Sequence, residues 1–292
     1  MLLRPGRLAC GMAKRALVLG GGGVTGVAWE IGMLTGLAEA GADLTDADLV
    51  IGTSAGSVVG AMVAGGLDLP GMFAGQLAPP TAEIPARLGV TMLLRWAWAA
   101  AGRRDEQRAR ARIGAMALAA RTAPEADRRA VIAARLRDRD WPDRRLLVTA
   151  VDARTGEFVV FDREQGVELV DAVGASCAVP GVWPPVTIGD RRYIDGGVRS
   201  PVNADLAAGY DRVVILAPVT ASFGPAGNIG RQIAGLGREV GDVALIRPDK
   251  AARRAFGRNV LDPARRAAAA RAGHTQAHQE AARVAELWSV PA

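Results

Sequence analysis

The sequence predicts an α/β protein whose central sheet is mainly parallel and flanked by helices. Two segments near its start, residues 16–40 and 48–64, each consist of an apolar run, a glycine-containing turn and an apolar helical segment. Repetition of this unit is typical of parallel sheets, because each helix carries the chain back to begin the next strand. With 50% apolar and 23% charged residues, the composition is that of a globular chain rather than a disordered one.

The first unit begins with a short apolar run at residues 16–19, which we interpret as a buried strand. Four consecutive glycines follow it and predict a tight turn, and residues 27–40 then show helical periodicity. The second unit has a predicted strand at residues 48–51 and a predicted helix at residues 57–64. Both units therefore place glycines between a strand and a helix.

The turn of the second unit reads GTSAG at residues 52–56. A G-x-S-x-G pattern in this setting is typical of a nucleophile elbow, a sharp turn that presents a serine at a helix N-terminus. Gly52 and Gly56 would avoid clashes beside the turn, and the Ala55 amide could donate to a developing oxyanion. We therefore expect Ser54 to be a nucleophile, and the alternative is a structural serine in a tight turn.

The turn of the first unit, GGGGVTG at residues 20–26, is compatible with two kinds of ligand. The spacing of Gly21, Gly23 and Gly26 satisfies the dinucleotide-binding fingerprint, in which the backbone approaches a pyrophosphate at a helix N-terminus. Amides in such a turn can equally stabilise an oxyanion, since both ligands carry negative charge. A plain turn or a helix-packing role is the third interpretation.

A serine nucleophile needs a base, and the sequence restricts the choice. The only histidines, His274 and His278, lie four residues apart in an alanine-rich segment, where we expect them to be solvated on a helix surface. A buried carboxylate can act as the base if its proton affinity is raised. Asp195 ends a short predicted strand before Gly196 and Gly197, which would let the chain turn sharply. An ordinary Asp-Gly hairpin turn is the alternative.

The rest of the chain completes the sheet and adds helices to it. Further strands are predicted at residues 145–151, 157–161, 213–216 and 243–246. Residues 70–143 are rich in alanine and arginine and are cut by prolines, so we expect a helical cap insertion there. Residues 247–292 are predicted to be an Arg/Ala-rich helical tail. We expect residues 1–14 to be a flexible N-terminal extension, with Met12 as an alternative start, and residues 15–292 to form one domain.

Charge and cysteine content narrow the classes of function. The net charge is +6, and all but Lys14 and Lys250 of the 36 basic residues are arginine. Peripheral contact with an anionic membrane would explain the arginines, and GC-rich coding is the competing explanation. Zinc-finger spacing is absent and aromatics make up 4% of the chain, so we expect no nucleic acid partner. Two cysteines exclude a disulfide framework and a Cys-cluster metal site, and we expect a cytoplasmic protein.

Taken together, the glycine loop, the serine turn and the segment ending in YIDGG resemble, in this order, the patatin-like phospholipase family. The resemblance implies an α/β hydrolase that cleaves carboxylic esters of lipids, with a lipid or other ester as substrate and no metal or organic cofactor. It implies Ser54 as nucleophile and Asp195 as base. The residues that it implies for the oxyanion hole are Gly21, Gly22, Gly23 and Ala55. The remaining motif glycines are Gly26, Gly52, Gly56, Gly196 and Gly197. The sequence departs from the family at Thr25, where a basic residue is usual.

Two other classes of function stay open at this level. A dinucleotide-binding oxidoreductase would use Gly21, Gly23 and Gly26, but it predicts an acidic residue after the second strand, and the chain has Gly52 there. A non-catalytic lipid-binding protein of the same fold would have no use for a Ser–Asp pair. The acyl chain, the leaving group, the choice between hydrolysis and transacylation and the oligomeric state are not determined by the sequence.

One stretch of the expected cap has an apolar face beside arginines, which is typical of helices that lie on a membrane interface. Its apolar residues are Ile84, Leu88, Met92, Leu93, Trp96 and Trp98. A helix that packs into the core would show the same pattern. Both interpretations stay open, and they differ in whether this stretch contacts the lipid substrate.

Overall fold

The structure, a computed structural model, describes residues 13–79, 86, 87, 89, 92, 96, 99, 105–136, 140–221, 227–236 and 242–289. The strands are β1 (Arg15–Leu19), β2 (Leu49–Gly52), β3 (Arg145–Asp152), β4 (Phe158–Phe161), β5 (Val186–Ile188), β6 (Arg191–Asp195), β7 (Arg212–Leu216) and β8 (Asp242–Ile246). The helices are α1 (Gly23–Glu39), α2 (Ala55–Ala64), α3 (Leu69–Leu77), α4 (Glu106–Leu118), α5 (Glu125–Arg135), α6 (Leu169–Ser176), α7 (Ile229–Leu236), α8 (Lys250–Phe256) and α9 (Arg266–Ser289).

Within the described residues, the strands form one sheet in the order β5-β6-β3-β2-β1-β7-β8, with β4 also paired to β3. β8, β7, β1, β2 and β3 run parallel, whereas β4 and β6 pair antiparallel with β3, and β5 pairs antiparallel with β6. The predicted fold class, a mainly parallel sheet flanked by helices, is confirmed. All six strands predicted outside the YIDGG segment agree with the observed strands to within one residue at each end.

The order of the strands fixes where a ligand can bind. From β1 the chain builds β2 and β3 on one side of the sheet, and β7 and β8 are later added on the other side. In open α/β sheets, ligands bind beyond the carboxyl ends of the strands at the place where the building direction reverses. Here that crevice lies between the ends of β1 and β7, and the glycine loop follows β1 directly.

Both faces of the sheet are buried, and alternate residues of β1 show how. Leu17 and Leu19 belong to a core cluster that includes residues of α1, α2 and α9, whereas Ala16 and Val18 belong to a second cluster on the α7 side. Because successive side chains of a strand point to opposite faces, a strand covered on both faces reads as a continuous apolar run. This is why the parallel strands were recognisable in the sequence.

Helix α1 begins at Gly23, four residues before the predicted start. Its first turn contains Gly23 and Gly26, which have low intrinsic helix propensity and therefore mask the helical pattern. A Cβ atom at Gly23 would lie 2.7 Å from the carbonyl oxygen of Val260. Close packing thus requires glycine at the position where propensity argues against a helix.

The stretch predicted as a cap is not uniform. Its first helix, α3, packs against α1 and α9 in the main helical layer. α4 contacts β3 and β6, and α5 packs on α6, which itself contacts β5 and β6. These two helices therefore lie at the β5–β6 side of the sheet. The parts of the expected cap that lie outside the described residues are 80–85, 88, 90, 91, 93–95, 97, 98, 100–104 and 137–139, and residues 1–12 of the expected extension lie outside them too. The predicted tail contains α8 and α9. None of the described helices is long and apolar enough to cross a membrane.

Candidate active site

The turn between β2 and α2 holds Ser54 in an unusual backbone conformation. Its φ is +52° and its ψ is −116°, a region that non-glycine residues rarely occupy. The two flanking glycines permit the turn: a Cβ atom at Gly52 would lie 2.5 Å from the Cα of Ser57, and one at Gly56 would overlap the carbonyl group of Leu19. The structure therefore places Ser54 on the sharp strand–helix turn that its sequence pattern predicted.

Hydrogen bonds from the end of α6 hold this strained turn. The Ser54 amide donates to Ser176 Oγ over 2.9 Å, and the Cys177 thiol donates to the Ser54 carbonyl oxygen at 3.2 Å. Ser57 Oγ donates to the same carbonyl at 2.7 Å. Burial raises the pKa of Cys177 to about 11, so its thiol remains a neutral donor. Strain of this kind persists only where the surroundings over-determine the conformation, and it is found preferentially at functional sites.

Asp195 lies at the end of β6 and faces Ser54. Its carboxylate lines the same cavity as Ser54, whose side chain lies near enough to lower the pKa of Asp195, and Oδ1 accepts a 2.7 Å hydrogen bond from the Gly197 amide. The Asp195 amide donates to the Ala178 carbonyl oxygen at 3.1 Å. A side chain at Gly196 would overlap Thr149. The Asp-Gly-Gly segment thus turns away from the strand and leaves the carboxylate directed at the serine.

Burial raises the pKa of Asp195 to about 7. The nearby Ser54 side chain and the hydrogen bond from Gly197 oppose this rise, and so does the positive charge of Arg128 in α5. Arg128 is itself buried and lies over the ring of Trp183, with 4.0 Å from its guanidinium carbon to the ring centroid. A carboxylate with a pKa near neutrality can accept a proton from a hydroxyl far better than an exposed one can.

A buried polar network behind the pair connects the two turns. The Asn203 side-chain amide donates to Thr53 Oγ1 at 3.0 Å, to Thr149 Oγ1 at 3.3 Å and to the Ser200 carbonyl oxygen at 3.0 Å. Thr53 precedes the serine, and its hydroxyl lies 2.9 Å from that of Thr149. Asn203 has a positive φ of 50° and is fully buried. Sequence reasoning missed Asn203 and Thr149, which position the site without being part of any recognised motif.

The amides of the glycine loop are not equally available to stabilise an oxyanion. The Gly21 amide already donates to the Pro201 carbonyl oxygen at 2.7 Å, so it is not available to an oxyanion. Gly22 and Gly23 line the same cavity as Ser54. A Cβ atom at Gly22 would lie 2.5 Å from the Cβ of Pro218, which follows β7. Of the expected oxyanion-hole residues, Gly22, Gly23 and Ala55 at the start of α2 have amides that donate to no backbone carbonyl outside the helices among the described residues.

Thr25 stands where the patatin-like family usually has a basic residue, and it connects the glycine loop to the segment of the chain that contains Val260. Its amide donates to the Val260 carbonyl oxygen at 3.0 Å, and its hydroxyl lies 3.3 Å from the same oxygen. Its side chain is fully buried. The residue thus has a packing role and brings no positive charge to the cavity.

Ser54 and Asp195 open into an apolar cavity of about 180 Å³. Its apolar lining includes Trp96, Ile113, Val179, Val198, Val260 and Leu261. Met92 packs nearby, whereas Ile84, Leu88, Leu93 and Trp98 lie outside the described residues. A larger groove of about 870 Å³ lies beside the amino ends of β2 and β3 and contains none of these site residues. The smaller cavity is the candidate site, because it lies at the carboxyl end of the sheet and is lined by Ser54 and Asp195.

Neither histidine lines this cavity. His278 is exposed as expected, but His274 is half-buried and lies 2.8 Å from Glu39, measured from Nε2 to Oε2. The described residues thus provide Ser54 with a carboxylate partner and no imidazole partner.

Comparison with known proteins gives one family match. The sequence pattern of the patatin-like phospholipase family matches residues 17–208. Among solved structures, VipD from Legionella pneumophila has 14% identity and a TM-score of 0.47, covering 94% of this chain and 67% of its own. The type III effector protein ExoU has 17% identity and a TM-score of 0.43, covering 94% of this chain and 53% of its own. No curated protein matches the chain.

Proposed function

The chain belongs to the patatin-like phospholipase family, and on that premise we propose that it is a serine acyl hydrolase that cleaves carboxylic esters of lipids. The observation that carries the proposal is the placement of Ser54, on a strained turn, beside buried Asp195, whose pKa is raised to about 7. A nucleophile within reach of a base that is held in turn by a third group is the arrangement that acyl transfer requires. Here the third group is the Gly197 amide.

In the first half-reaction, Ser54 Oγ attacks the ester carbonyl carbon while Asp195 accepts the hydroxyl proton. The carbonyl oxygen becomes an oxyanion, which the amides of Gly22, Gly23 and Ala55 stabilise. A preorganised donor of this kind is worth about 3 kcal/mol in the transition state. Collapse of the intermediate breaks the ester C–O bond, and the leaving alkoxide takes the proton from Asp195.

The second half-reaction returns the enzyme to its starting state. A water molecule attacks the acyl-Ser54 carbonyl while Asp195 accepts a proton from the water. Collapse expels Ser54, which recovers the proton, and releases the carboxylic acid. The same carboxylate therefore acts twice as base and twice as acid, which requires a pKa near the working pH.

The lining of the cavity favours an apolar acyl group. Trp96 and Ile113 belong to one apolar cluster that lines the cavity. Val260 and Leu261 lie against Gly23 of the glycine loop. Apolar area that leaves water on binding contributes roughly 25 cal/mol per Å². A lipid or other ester with an aliphatic acyl chain fits this surface better than a charged acyl group does.

The test is ester hydrolysis by purified variants. Ser54→Ala and Asp195→Asn should each lower kcat by at least about 10³-fold, and the double variant should be no slower than either single variant, because the two groups act as one unit. Asp190→Asn, an exposed aspartate in the turn before β6, is the matched control and should behave as wild type. Substantial activity of folded Asp195→Asn on short esters would contradict the Ser–Asp mechanism.

A further inference from the structure

Away from the Ser–Asp site, three side chains bring metal-ligating atoms together on the surface. The carboxylate of Glu39 and one ring nitrogen each of His274 and His278 all lie within 4.8 Å of one another. These are the only histidines in the chain. Both are expected from the sequence on a helix surface without a function, and no local pattern indicates that Glu39 lies beside them.

The positions of these groups are set by two rigid helices. His274 and His278 are one turn apart on α9, so they share a face, and Glu39 is the last residue of α1. The two helices pack at backbone distance. A Cβ atom at Gly32 would overlap the Ala270 carbonyl group, and one at Gly36 would lie 2.7 Å from the Cβ of Ala277. Such close packing leaves little freedom to separate the ligands.

The side chains are also oriented and accessible. His274 Nε2 lies 2.8 Å from Glu39 Oε2, and the His274 ring stacks on Phe73 with centroids 5.1 Å apart and an interplanar angle of 27°. The His278 ring approaches the His274 ring edge-on, with centroids 5.2 Å apart. Glu39 and His278 are exposed and His274 is half-buried, so an ion can reach the cluster from solvent.

We propose that Glu39, His274 and His278 bind a divalent transition-metal ion of the zinc type and thereby cross-link α1 to α9. Two imidazoles and one carboxylate suit Zn²⁺, Ni²⁺ or Cu²⁺, whereas Ca²⁺ and Mg²⁺ prefer oxygen ligands throughout. Metal–ligand bonds of about 2.0–2.2 Å require ligand atoms roughly 3.3 Å apart. Small side-chain rotations bring the three atoms from their present separation to this one, and water completes the coordination.

A simple ion pair is the competing explanation of the cluster. It accounts for the contact between His274 and Glu39, but it assigns nothing to His278, whose ring nitrogen completes the set. The metal site uses all three groups. It also predicts that the ion stabilises the packing of α9 on α1, because binding to the folded state alone raises its stability.

Zinc titration of the full-length chain without an affinity tag tests the proposal. Calorimetry should show one Zn²⁺ per chain, and the unfolding midpoint should rise with Zn²⁺ concentration and not with Mg²⁺. His278→Ala and Glu39→Gln should each weaken zinc binding by at least the roughly tenfold that loss of a second-shell partner costs. Glu286→Gln, which neutralises an exposed acid on α9, is the matched control and should bind zinc as wild type does.

The proposal is overturned if wild type shows no saturable zinc binding, or if a folded His274→Ala/His278→Ala double variant binds zinc as tightly as wild type does. Circular dichroism before titration identifies variants that fail to fold, and Glu39→Gln keeps a test available in that case. Zinc binding by Ser54→Ala should equal that of wild type. The zinc measurements therefore test the metal site independently of the acyl hydrolase activity.

Discussion

Asp195, the base in the proposed reaction, lies in an environment that opposes its charge, because burial raises its pKa. Glu30, fully buried in α1, shares this property: burial raises its pKa well above the usual range, and neither carboxyl oxygen has a well-formed hydrogen bond among the described residues. The two carboxyls differ in what surrounds them. Asp195 has the Ser54 hydroxyl and the Gly197 amide beside it and opens into a cavity, so its ionisation can be used for chemistry.

The rate of ester hydrolysis should follow the ionisation of Asp195. Its carboxylate must be charged to accept a proton, so kcat/KM should rise with pH and level off above an apparent pKa of about 7. A rate profile measured between pH 5 and pH 9 on a neutral ester checks this. An ordinary exposed aspartate would already be ionised at pH 5, and a flat profile over this range would contradict the assignment.

Asp195 should also reduce the stability of the fold above neutral pH. Its pKa is about 7 in the folded protein and about 3.9 in an unfolded chain, so the unfolded state releases its proton first and stability falls as pH rises from about 4 to 7. At 1.36 kcal/mol per pKa unit, Asp195→Asn should be more stable than wild type by on the order of 4 kcal/mol at pH 8.

The same difference should shrink to about 1 kcal/mol near pH 4.5, because this pH lies well below the pKa of the folded state and only about half a unit above that of the unfolded state. Denaturant unfolding of both proteins at the two pH values gives the comparison. Glu30 contributes equally to both proteins, so its own ionisation cancels. A loss of stability in Asp195→Asn at pH 8 would mean that the charged carboxylate is well satisfied.

Among the elements, α1 links the two sites of the molecule. Its first turn carries the glycine loop and its last residue is Glu39, and along its length it packs on α9 through Gly32 and Gly36. Small residues at these positions let the two backbones meet. Glycine is unfavourable inside a helix by about 1 kcal/mol relative to alanine, so close packing is the physical reason for its presence here.

Gly32→Ala should therefore destabilise the protein, although alanine is the better helix former. The added Cβ atom would overlap the Ala270 carbonyl group, and overpacking of this kind costs about 1–3 kcal/mol. Gly75→Ala in α3 is the matched control, since its Cβ atom would meet nothing within 4 Å, and it should be neutral or stabilising. Equal unfolding midpoints for the two variants would show that α1 and α9 can separate at no cost.

The elements and the site could be predicted from the sequence to different degrees. The parallel strands and Ser54 and Asp195 stand in local patterns, where an apolar run meets a glycine turn, so single segments revealed them. Asn203 bonds to Thr53, 150 residues away, and Ser176 bonds to Ser54, 122 residues away. Neither pairing leaves a local pattern. The use of the Gly21 amide by Pro201 likewise depends on how distant loops pack.

At the scale of the whole molecule, we propose that the arginine excess attracts the protein to anionic membranes. Several of them pair with acids: Arg129 with Asp171 at 2.6 Å, Arg163 with Asp143 at 2.6 Å and Arg191 with Glu157 at 3.1 Å. Exposed pairs of this kind contribute little to stability, and they leave the net charge of +6 unchanged. The excess positive charge remains available to attract anionic lipid.

Anionic vesicles should therefore recruit the protein and neutral vesicles should not. Each arginine near an anionic surface contributes about 1 kcal/mol, and salt should weaken binding because the attraction is screened. Co-sedimentation with phosphatidylserine-containing and with pure phosphatidylcholine vesicles, at low and high salt, measures this. Equal and salt-insensitive binding to both would assign the arginines no role at membranes.

The central claim is that Ser54 is a nucleophile activated by Asp195, and covalent labelling tests it most directly. A fluorophosphonate probe reacts with activated serines whatever the natural substrate is, and mass spectrometry of the labelled peptide identifies the residue. We predict labelling of wild type at Ser54 alone, none in Ser54→Ala, and strongly slowed labelling in Asp195→Asn. Failure of folded wild type to react, or equal labelling rates in wild type and Asp195→Asn, would contradict the claim.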